Sequence, residues 1–487
     1  MTETLAPVKP GKLIINGEAV EAASGRTYTT INPATEEPVC AVAEAGPEDV
    51  ERAVAAARAA FDSGPWPRMR PQDRQKLLWK LGDLILEHAD EIARLETLDN
   101  GKPIFESRQI DVPMAANCFH YFAGWSTKLA GETLPVSPAF FTYTLREPIG
   151  VVAAIIPWNF PMIMVGWKCA PALAAGNTVV VKPAELTPLS AIRIGELALE
   201  AGLPPGVLNV LPGKGSVVGE ALVRHGGVDK ISFTGSTEVG KHIMKAAADT
   251  VKKLTLELGG KSPNLVFEDA DMDAALRGAA TGIFYGKGEV CAAGSRLLVQ
   301  RSIHDEFVGR LAERAKKLVP GDPLDPKTRL GALVSEPQMN KVLGYVETGR
   351  NEGARVVAGG ARQPVNGKGW FVQATVLDQV DNRMRVAQEE IFGPVLAVIP
   401  FDDVEDAIRK SNDIPYGLAA GVWTRDVKKA HAVARRLQAG TVWINTYNFY
   451  DAGMPFGGTK QSGFGRDLGP ECMKDVTQVK SVWVNVE

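Results

Sequence analysis

One cysteine in the sequence has surroundings that would suit a reactive thiol. Cys291 lies in residues 288–296 (GEVCAAGSR), where small side chains and glycines would let a ligand approach the backbone closely. A thiolate is a strong nucleophile, but it forms readily only where the surroundings lower the thiol pKa. A lone cysteine is more often a buried structural residue. On these residues alone, the structural interpretation is favoured.

A glutamate could serve as an acid–base group. Glu257 lies in an alternation of apolar and polar residues over 254–258 (LTLEL), which predicts a strand, and two glycines follow. A carboxylate at the end of a strand can act as a general base once burial raises its pKa. A solvated or salt-bridged surface glutamate is the commoner case. The residues around Glu257 alone favour that second interpretation.

Two further polar segments directly follow apolar runs that predict buried strands. Asn159 lies in residues 157–161 (PWNFP), and its amide could donate a hydrogen bond to an oxyanion or form a turn before a helix. Lys182 and Glu185 lie in residues 182–185 (KPAE), where they could bind the hydroxyls of a ribose or cap a helix. Both interpretations stay open for each segment.

Residues 233–240 (FTGSTEVG) have the pattern of a strand, a glycine turn and a helix N-terminus. Free backbone N–H groups and the helix dipole suit such a place to an anion. The pattern is neither G-x-G-x-x-G nor a P-loop, since no Gly-Lys-Ser/Thr follows. Phosphate transfer is therefore disfavoured as the reaction.

Composition and charge narrow the classes of protein. With 487 residues, the chain is expected to form two or three domains, on a prior of about 150 residues per domain. The formal net charge of -3 argues against a nucleic acid or an anionic membrane as the main partner. Five scattered cysteines without a CxxC pair, and six histidines without ligand spacing, predict no disulfide framework and no metal site. A reducing cytoplasm is the expected location.

No targeting or membrane segment is predicted. Residues 1–12 are polar and contain prolines, without the apolar core of a signal peptide. The most apolar stretch, residues 151–167, is interrupted by Pro157, Asn159 and Pro161. That stretch is too short and too broken to span a bilayer.

The elements expected to hold the polar groups begin with a hairpin and helices. Residues 14–18 predict the hairpin, because Asn-Gly is the strongest two-residue turn signal. Helices are predicted over 47–61 and over 71–99, the latter as one or two segments.

From residue 150 onwards, predicted strands and helices alternate. The predicted strands are 151–156, 178–181, 207–210 and 230–233. The predicted helices between them are 162–175, 188–201 and 216–224. This alternation indicates a parallel sheet covered on both faces, and ligands of such sheets lie beyond the carboxyl ends of the strands, where the polar segments fall. Further strands, expected to form a second sheet and a C-terminal strand, are 264–267, 297–299, 395–399 and 481–486.

Each of these signals is weak alone, but their order and spacing resemble those of the aldehyde dehydrogenase superfamily. The resemblance runs from about Asn16 to the C-terminus, and its most specific part is the pair of segments around Glu257 and Cys291, 34 residues apart (291 minus 257). The matching segments are 157–161 (PWNFP), 182–185 (KPAE), 233–236 (FTGS), 256–261 (LELGGK), 288–296 (GEVCAAGSR), 389–394 (EEIFGP), 455–458 (PFGG) and 460–463 (KQSG).

The resemblance implies that the protein oxidises an aldehyde to an acid through a thioester, with a nicotinamide cofactor and water as the final acyl acceptor. Cys291 matches the nucleophile and Glu257 the general base. Asn159 matches an oxyanion donor that works with the Cys291 backbone N–H, and Lys168 matches a lysine linked to proton movement near the base. Cofactor contacts are implied for Ile156, Trp158, Lys182, Glu185, Gly235, Ser236, Glu390 and Phe392.

The same resemblance implies an α/β fold of three parts. These are a Rossmann-like, parallel-sheet cofactor domain (1–127 and 148–258), an α/β catalytic domain with the nucleophile (259–460), and a small β oligomerisation element with bridging segments (128–147 and 461–487). A homotetramer or homodimer is expected, since the strands near 140–145 and 482–486 look exposed and edge strands tend to be covered.

Cofactor and substrate preferences are also implied. A carboxylate near the adenosine 2′-hydroxyl accepts its hydrogen bond and repels a 2′-phosphate, so Glu185 predicts NAD, with NADP less favoured. The residues implied for a substrate tunnel are Phe160, Met164, Trp167, Tyr285, Val290, Tyr450 and Phe456. This aromatic set has no obvious carboxylate-binding arginine, which favours medium aliphatic or aromatic aldehydes over dicarboxylic semialdehydes. Several of these residues could simply pack the core, and Trp167 could attract a quaternary ammonium, so a betaine-type aldehyde stays open.

The chain departs from the family pattern at three places. Residues 286–289 (GKGE) stand where many members have Asn-Gln-Gly-Gln, and the Gly286-Lys287 pair is expected to alter the flexibility and the local field of this loop. Asp467 and Gln478 stand where many relatives carry glutamates of the proton path and the subunit contact. These departures bear on details of the mechanism and not on the reaction.

Three alternative functions are weighed against this one. In an acylating enzyme coenzyme A would replace water, but relatives of that kind usually lack the base matched by Glu257. A non-catalytic protein on the same fold would have no reason to retain Cys291, Glu257 and Asn159 together. An esterase using Cys291 fits only as a side activity, because it would not need the cofactor residues.

Overall fold

The structure is a computed structural model that describes residues 7–487. Residues 1–6, half of the stretch in which no signal peptide is predicted, lie outside the described residues. The helices are α1 (Pro47–Asp62), α2 (Pro71–Glu87), α3 (Ala89–Asn100), α4 (Ile104–Glu106), α5 (Val112–Ala123), α6 (Pro161–Ala175), α7 (Leu189–Ala201), α8 (Glu220–Arg224), α9 (Thr237–Ala247), α10 (Met272–Phe284), α11 (His304–Lys317), α12 (Glu336–Asn351), α13 (Arg385–Gln388), α14 (Val404–Asn412), α15 (Val427–Arg436) and α16 (Cys472–Asp475).

The strands are short and most are flanked by helices. In chain order they are β1 (Leu13–Ile15), β2 (Glu18–Val20), β3 (Thr27–Asn32), β4 (Glu37–Ala43), β5 (Phe140–Pro148), β6 (Val151–Ile155), β7 (Thr178–Lys182), β8 (Leu208–Val210), β9 (Lys230–Thr234), β10 (Lys253–Glu257), β11 (Pro263–Val266), β12 (Arg296–Gln300), β13 (Arg355–Ala358), β14 (Thr375–Asp378), β15 (Val395–Phe401), β16 (Tyr416–Gly417), β17 (Ala419–Trp423), β18 (Thr441–Ile444), β19 (Thr459–Lys460), β20 (Gly463–Phe464) and β21 (Thr477–Asn485).

The first large sheet contains eight strands in the order β2-β1-β8-β7-β6-β9-β10-β20. Its central strands β8, β7, β6, β9 and β10 are parallel, as the alternating pattern predicts. The predicted hairpin forms its edge as β1 and β2, with Asn16 and Gly17 at φ 51° and 82° in the turn. All carboxyl ends of the parallel strands therefore lie along one edge, where polar side chains can meet.

Helix α6 passes through the core beside this sheet. All fifteen of its residues are buried, as expected for a helix that is apolar around its whole circumference. It ends where Gly176 adopts a left-handed conformation with φ 98°. Lys168 is the charged exception inside α6, so its ammonium must find partners in the interior.

The second large sheet contains seven strands in the order β13-β14-β15-β12-β11-β17-β18. All its neighbouring pairs are parallel except β13 with β14, which is antiparallel. Residues 258–262 join β10 of the first sheet directly to β11 of the second. The prediction of two parallel-sheet α/β parts is confirmed.

A separate ribbon is formed by β5 and β21, which pair antiparallel along their full nine-residue lengths. The C-terminal strand begins earlier than the predicted 481–486, at Thr477. A two-stranded ribbon alone is marginally stable in water. Its exposed apolar side chains include Phe140, Phe141, Leu145, Val479, Trp483 and Val484.

Two predicted helices differ in detail. The predicted helix over 71–99 is broken at His88 into α2 and α3. The predicted helix over 216–224 begins as a π-helical turn, Gly215–Gly219, and continues as α8. Within residues 7–487, no helix is both long enough and apolar enough to cross a bilayer.

Candidate active site

Cys291 lies in the loop between a 3₁₀ turn (Tyr285–Gly288) and β12, and it lines an apolar cavity of about 140 Å³. The other lining residues are Ile110, Met114, Phe160, Ile163, Met164, Trp167, Thr281, Tyr285, Val290, Tyr447, Asn448, Tyr450 and Phe456. No lysine, arginine, aspartate or glutamate of the described chain is among them. The structure thus gathers all seven residues implied for a tunnel around one uncharged cavity.

Aromatic contacts fix the shape of this cavity. The rings of Trp167, Tyr450 and Phe456 contact one another with centroids 5.3–5.9 Å apart. Phe160 and Tyr285 stack at 5.9 Å on another part of the lining. Such aromatic pairs are stabilising beyond the area they bury, so the wall is a packed assembly and not a flexible surface.

Six residues of the lining were missed by sequence reasoning. They are Ile110, Met114, Ile163, Thr281, Tyr447 and Asn448. Ile110 and Met114 are four residues apart at the junction of a π-helical turn (Ser107–Asp111) with α5. That apolar spacing is detectable in the sequence, but nothing local indicates that it faces a ligand cavity rather than the core.

Burial and nearby carboxylates hold the Cys291 thiol in its neutral form. Burial raises the pKa of Cys291 to about 12, and the carboxylates of Glu390 and Glu257 contribute in the same direction. The backbone N–H groups of Ala292 and of Cys291 itself oppose this shift. The thiol is therefore protonated at neutral pH, and chemistry at this sulfur requires a change that favours the thiolate.

The loop before Cys291 has an unusual backbone. Gly286, Lys287 and Gly288 are consecutively left-handed, with φ of 57°, 62° and 71°. A side chain at Gly288 would place its Cβ 2.1 Å from the Gly393 carbonyl oxygen, so only glycine fits there. The Gly286 N–H donates to both carboxylate oxygens of Glu106, at 3.2 and 3.3 Å. The departure from the family pattern thus lies in a buried, tightly held turn.

The amide of Asn159 faces this loop. Asn159 lies between β6 and α6, is only 7% exposed, and its Nδ2 donates to the Glu289 carbonyl oxygen at 2.9 Å. A primary amide has two N–H groups. One is used within the described protein, which leaves the second for a ligand oxygen. Of its two possible roles, Asn159 therefore has the burial and fixed orientation expected of an oxyanion donor.

Glu257 is the last residue of β10, held between Thr234 of β9 and Gly463 of β20. Its side chain is buried, and neither carboxylate oxygen has a hydrogen-bond partner among residues 7–487. Burial raises the pKa of Glu257 well above its usual value, and Asp467 raises it further. The Gly458 N–H lowers it slightly through its field, although it does not reach hydrogen-bond geometry. The surface interpretation of Glu257 is wrong.

A buried ion pair lies beside this carboxylate. The Lys168 ammonium is 3.0 Å from Asp467 Oδ2 and 3.4 Å from the Ser232 hydroxyl. Lys168 lowers the pKa of Glu257, whereas Asp467 raises it. The two ends of the pair thus act in opposite directions on the pKa of Glu257, in addition to the larger effect of burial.

A cleft of about 900 Å³, lined by both apolar and charged side chains, lies at the carboxyl ends of the parallel strands of the first sheet. Six of the eight residues implied for cofactor contacts line it, namely Ile156, Trp158, Lys182, Glu185, Gly235 and Ser236. Its volume lies in the range usual for ligand pockets. The cleft has room for an extended nucleotide, whereas the cavity at Cys291 does not.

Lys182 and Glu185 form a long ion pair in the cleft. The Lys182 ammonium lies 3.9 Å from Glu185 Oε2, which also accepts a hydrogen bond from the Gly215 N–H at 3.1 Å. Burial lowers the pKa of Lys182 to about 8, which Glu185 partly offsets. The Ser236 hydroxyl accepts from the Val239 N–H at 3.3 Å and caps α9. Lys182 and Glu185 both line the cleft, and Glu185 also accepts from the first N–H of the π-helical turn Gly215–Gly219.

Glu390 and Phe392 connect the cleft to the cysteine. Glu390 accepts a hydrogen bond from the Gly260 N–H at 3.0 Å and is near enough to Cys291 to raise its pKa. Phe392 has a left-handed backbone, with φ 62°, and its ring meets the Trp158 ring edge-on at 5.1 Å. Both lie outside the lining of the cleft itself. Phe392 thus contacts a residue of the cleft lining, and Glu390 lies near Cys291 of the cavity lining.

The arrangement suits covalent chemistry on a small apolar molecule. The Cys291 thiol lines the cavity, and the Asn159 amide donates to the carbonyl of Glu289, two residues before it. The Glu257 carboxylate is near enough to raise the pKa of Cys291, and Trp158 and Thr234 of the nucleotide-sized cleft neighbour Asn159 and Glu257. Among the described residues, no group of three or more His, Cys, Asp or Glu side chains is placed to hold a metal ion.

Comparison with known proteins gives one consistent result. The model of the Aldehyde dehydrogenase family matches residues 19–482. The putative aldehyde dehydrogenase DhaS of Bacillus subtilis (strain 168) is 52% identical over 476 residues, which cover 98% of this chain and 96% of that protein. An NAD+ complex of aldehyde dehydrogenase from Bacillus cereus superposes with a TM-score of 0.97, at 50% identity, and covers 98% of this chain and 97% of that one. An indole-3-acetaldehyde dehydrogenase of P. syringae, in complex with NAD+ and IAA, has a TM-score of 0.97 at 48% identity, covering 99% and 98%.

We expect the neutral reagent iodoacetamide to label Cys291 slowly at pH 7 and faster as the pH rises. Below the thiol pKa, the reactive thiolate fraction grows about tenfold per pH unit, so the rate should still be rising at pH 9, where an ordinary cysteine levels off. Mass spectrometry of the Cys291 peptide measures the rate, and Cys291→Ser is the control. A plateau below pH 8 would show a preformed thiolate and contradict the raised pKa.

Proposed function

The chain belongs to the aldehyde dehydrogenase family, and we propose that it oxidises an aldehyde to the carboxylic acid with NAD+ through a thioester on Cys291. The observation that carries this proposal is the proximity of three groups. The half-buried Cys291 thiol lines the apolar cavity, the buried Glu257 carboxylate is near enough to raise its pKa, and the buried Asn159 amide donates to the Glu289 carbonyl two residues before it. A binding protein would gain nothing from an unpaired buried carboxylate, which is costly to fold.

In the first step, the Cys291 thiol releases its proton to solvent, and the resulting thiolate attacks the aldehyde carbonyl carbon. The developing oxyanion takes hydrogen bonds from the free N–H of the Asn159 amide and from the Cys291 backbone N–H. Each such donor is worth about 3 kcal/mol in comparable sites, because it is oriented before the charge develops. When bound, NAD+ supplies the hydride acceptor that allows the adduct to become a thioester.

In the second step, Glu257 takes a proton from a water molecule, whose oxygen attacks the thioester and releases Cys291 as the thiolate. A general base works best when its pKa is near the operating pH. Burial and Asp467 hold the pKa of Glu257 high, and the Lys168 ammonium opposes them. We therefore infer that Lys168 and Asp467 adjust the basicity of Glu257 and offer a path for its proton.

NAD is the proposed cofactor. The cleft has the volume for a dinucleotide, and two relatives of about 50% identity and the same fold are described as NAD+ complexes. In this proposal, Lys182 and Glu185 of the cleft lining would hold the hydroxyls of the adenosine ribose. Ser236 and Gly235 lie at the N-terminus of α9, where a pyrophosphate is favoured. Glu185 would repel a 2′-phosphate.

The proposed substrates are medium aliphatic and aromatic aldehydes. The cavity at Cys291 is lined by aromatic and aliphatic side chains without any of the described acidic or basic residues. A free carboxylate on the substrate would be desolvated there without a partner, which is unfavourable. The P. syringae relative is described as acting on indole-3-acetaldehyde, an aromatic aldehyde of the proposed class.

We expect rapid NADH formation with medium-chain and aromatic aldehydes, and rates at least about tenfold lower with dicarboxylic semialdehydes, since each charge without a partner costs more than 1.4 kcal/mol. Initial rates over a panel that includes betaine aldehyde, with NAD+ and NADP+ in turn, measure this. Glu185→Gln should raise the NADP+ rate relative to NAD+. Reduction that requires added coenzyme A would favour the acylating alternative, and no reduction with any aldehyde would contradict the proposal.

Glu257→Gln should leave the first half-reaction intact and block the second. Glutamine has nearly the same shape but cannot accept the proton of water, so the thioester should accumulate. Rapid-mixing measurements should show a burst of about one NADH per active site, followed by turnover at least about 100-fold below wild type. Cys291→Ser is the matched control and should give no burst. Unchanged steady-state turnover of Glu257→Gln would exclude its role as base.

We propose that the sheet of β1, β2, β6 to β10 and β20 is the core of the cofactor domain, and that the ribbon of β5 and β21 joins protomers as a homodimer or homotetramer. The exposed aromatic residues of the ribbon support this, because large exposed apolar patches usually mark interaction surfaces. Ribbon residues Phe140 and Trp483 contact each other edge-on at 5.8 Å, and Trp483 is 60% exposed.

Sedimentation velocity should therefore show a mass of two or four chains for the wild type. Trp483→Glu should shift the distribution towards smaller species, because it places a charge on the proposed interface. Val427→Glu, at an equally exposed apolar residue at the start of α15, is the control and should not change the distribution. A wild-type protein that sediments as a single chain would refute the ribbon's proposed role.

A further inference from the structure

A cluster of buried charged and polar residues lies directly behind the loop that carries Cys291. We refer to it as the buried cluster; its members are Glu96, Asn100, Lys102, Glu106, Asp111, Lys287 and Glu289, all at most 5% exposed. Lys102 is paired with Glu96 at 3.0 Å and with Asp111 at 2.6 Å. Nothing in the proposed reaction uses these groups directly, and charged residues are rarely buried without a role in holding structure.

Lys287 is the member that belongs to the catalytic loop itself. Its ammonium donates to the backbone and side-chain oxygens of Asn100, both at 2.8 Å. It also lies 2.8 Å from Glu289 Oε2, an ion pair whose angle falls outside hydrogen-bond geometry. An ammonium has three donors, and three oxygens surround this one. Two of these oxygens accept hydrogen bonds, and the nearby Glu289 carboxylate offsets the charge of the buried ammonium.

The left-handed backbone of Lys287 indicates that its side-chain contacts help to select the conformation of this loop. Its φ of 62° lies in the left-handed region, which L side chains rarely adopt outside Asn, Asp and Gly. Gly286 and Gly288 on either side are left-handed as well, so the local sequence permits many other conformations. The contacts of the buried ammonium are what select one of them.

The same contacts reach the amide that faces the substrate. Asn100 donates from Nδ2 to the Trp158 carbonyl oxygen at 2.7 Å and weakly to that of Asn159 at 3.4 Å. The Asn159 amide in turn donates to the Glu289 carbonyl oxygen at 2.9 Å. Lys287 touches both Asn100 and Glu289, so these contacts close a ring around the oxyanion donor.

We propose that Lys287 is a positioning residue for the oxidation at Cys291, which fixes the Asn159 amide through Asn100 and Glu289. The proposal rests on the proposed function only in that Asn159 stabilises an oxyanion. Lys287 touches neither the cavity lining nor the nucleotide cleft. Its effect should therefore appear in the chemical step and not in the binding of the cofactor.

Lys287→Met, which keeps the length of the side chain and removes the charge, is the first test. We expect kcat for aldehyde oxidation to fall about 10- to 100-fold, somewhat less than the loss expected from removing an oxyanion donor outright. KM for NAD+ should stay within about twofold, because the cleft is unchanged. Hydrolysis of a neutral p-nitrophenyl ester, measured without cofactor, should fall in parallel, since it uses the same oxyanion site.

Two further variants separate positioning from stability. Lys287→Met alone leaves the Glu289 carboxylate buried without its cation, so the melting temperature should fall. Lys287→Met with Glu289→Gln removes that unpaired charge and should recover most of the melting temperature while kcat stays low. Asp378→Asn is the control. It removes a buried carboxylate of β14 that pairs with Arg355 and His304, and it should lower the melting temperature at unchanged kcat.

A double-mutant cycle with Asn159→Ala tests the route. If Lys287 acts through Asn159, then Lys287→Met should lower ester hydrolysis by less than about threefold once Asn159 is alanine. Full additivity of the two substitutions, or recovery of kcat together with the melting temperature in the Glu289→Gln variant, would overturn the proposal. A wild type that hydrolyses esters and oxidises no aldehyde would refute the proposed function and leave this inference testable through the ester.

Discussion

Exclusion of water from the end of the first sheet is the constraint on which the active site depends. Glu257 ends β10 as a buried carboxylate without a hydrogen bond, and such a group typically costs about 1–3 kcal/mol or more. The pairing of β10 on both sides, with β9 and with the short strand β20, offsets this unfavourable free energy. The same burial raises the pKa of Cys291, so one feature of the fold disfavours the charged forms of both reacting groups.

Residues 457–467, about 200 positions after Glu257, cover the buried end of β10. Ser462 donates from its hydroxyl to the Gly259 carbonyl at 2.7 Å and accepts from the Gly417 N–H at 3.0 Å. It thereby ties the connection between the two large sheets to the short strand β16. Gly457 passes so close to Glu257 that a Cβ there would lie 2.5 Å from its Oε1. Asp467 follows and pairs with Lys168. The same short segment, residues 457–467, thus encloses Glu257 and influences its pKa.

The sequence predicts much of this fold, because its strongest signals are local. Apolar β-branched runs between helices specify the parallel strands, and Asn16-Gly17 specifies the first hairpin. The pairing of β20 with β10 is not predictable in this way, since two residues carry no periodic signal and their partner lies some 200 positions earlier. The surface interpretation of Glu257 fails for the same reason: burial of a strand end is decided by what covers it. Ile110 and Met114 are equally ambiguous, because an apolar pair on a helix faces a core or a ligand with the same spacing.

Lys287 shows how a buried charge can specify what packing leaves open. Between two glycines, an apolar side chain would have gained little from one backbone conformation over another, because dispersion and hydrophobic contacts are not directional. An ammonium desolvated among three oxygens is directional, since any displacement leaves a donor or an acceptor unpaired in a region without water. From the sequence a lysine at this position reads as a solvated residue. The side chain of Lys287 points into the protein because residues 286–288 form a left-handed turn, which needs the two glycines. The loop conformation and the buried ion pair with Glu289 therefore depend on each other.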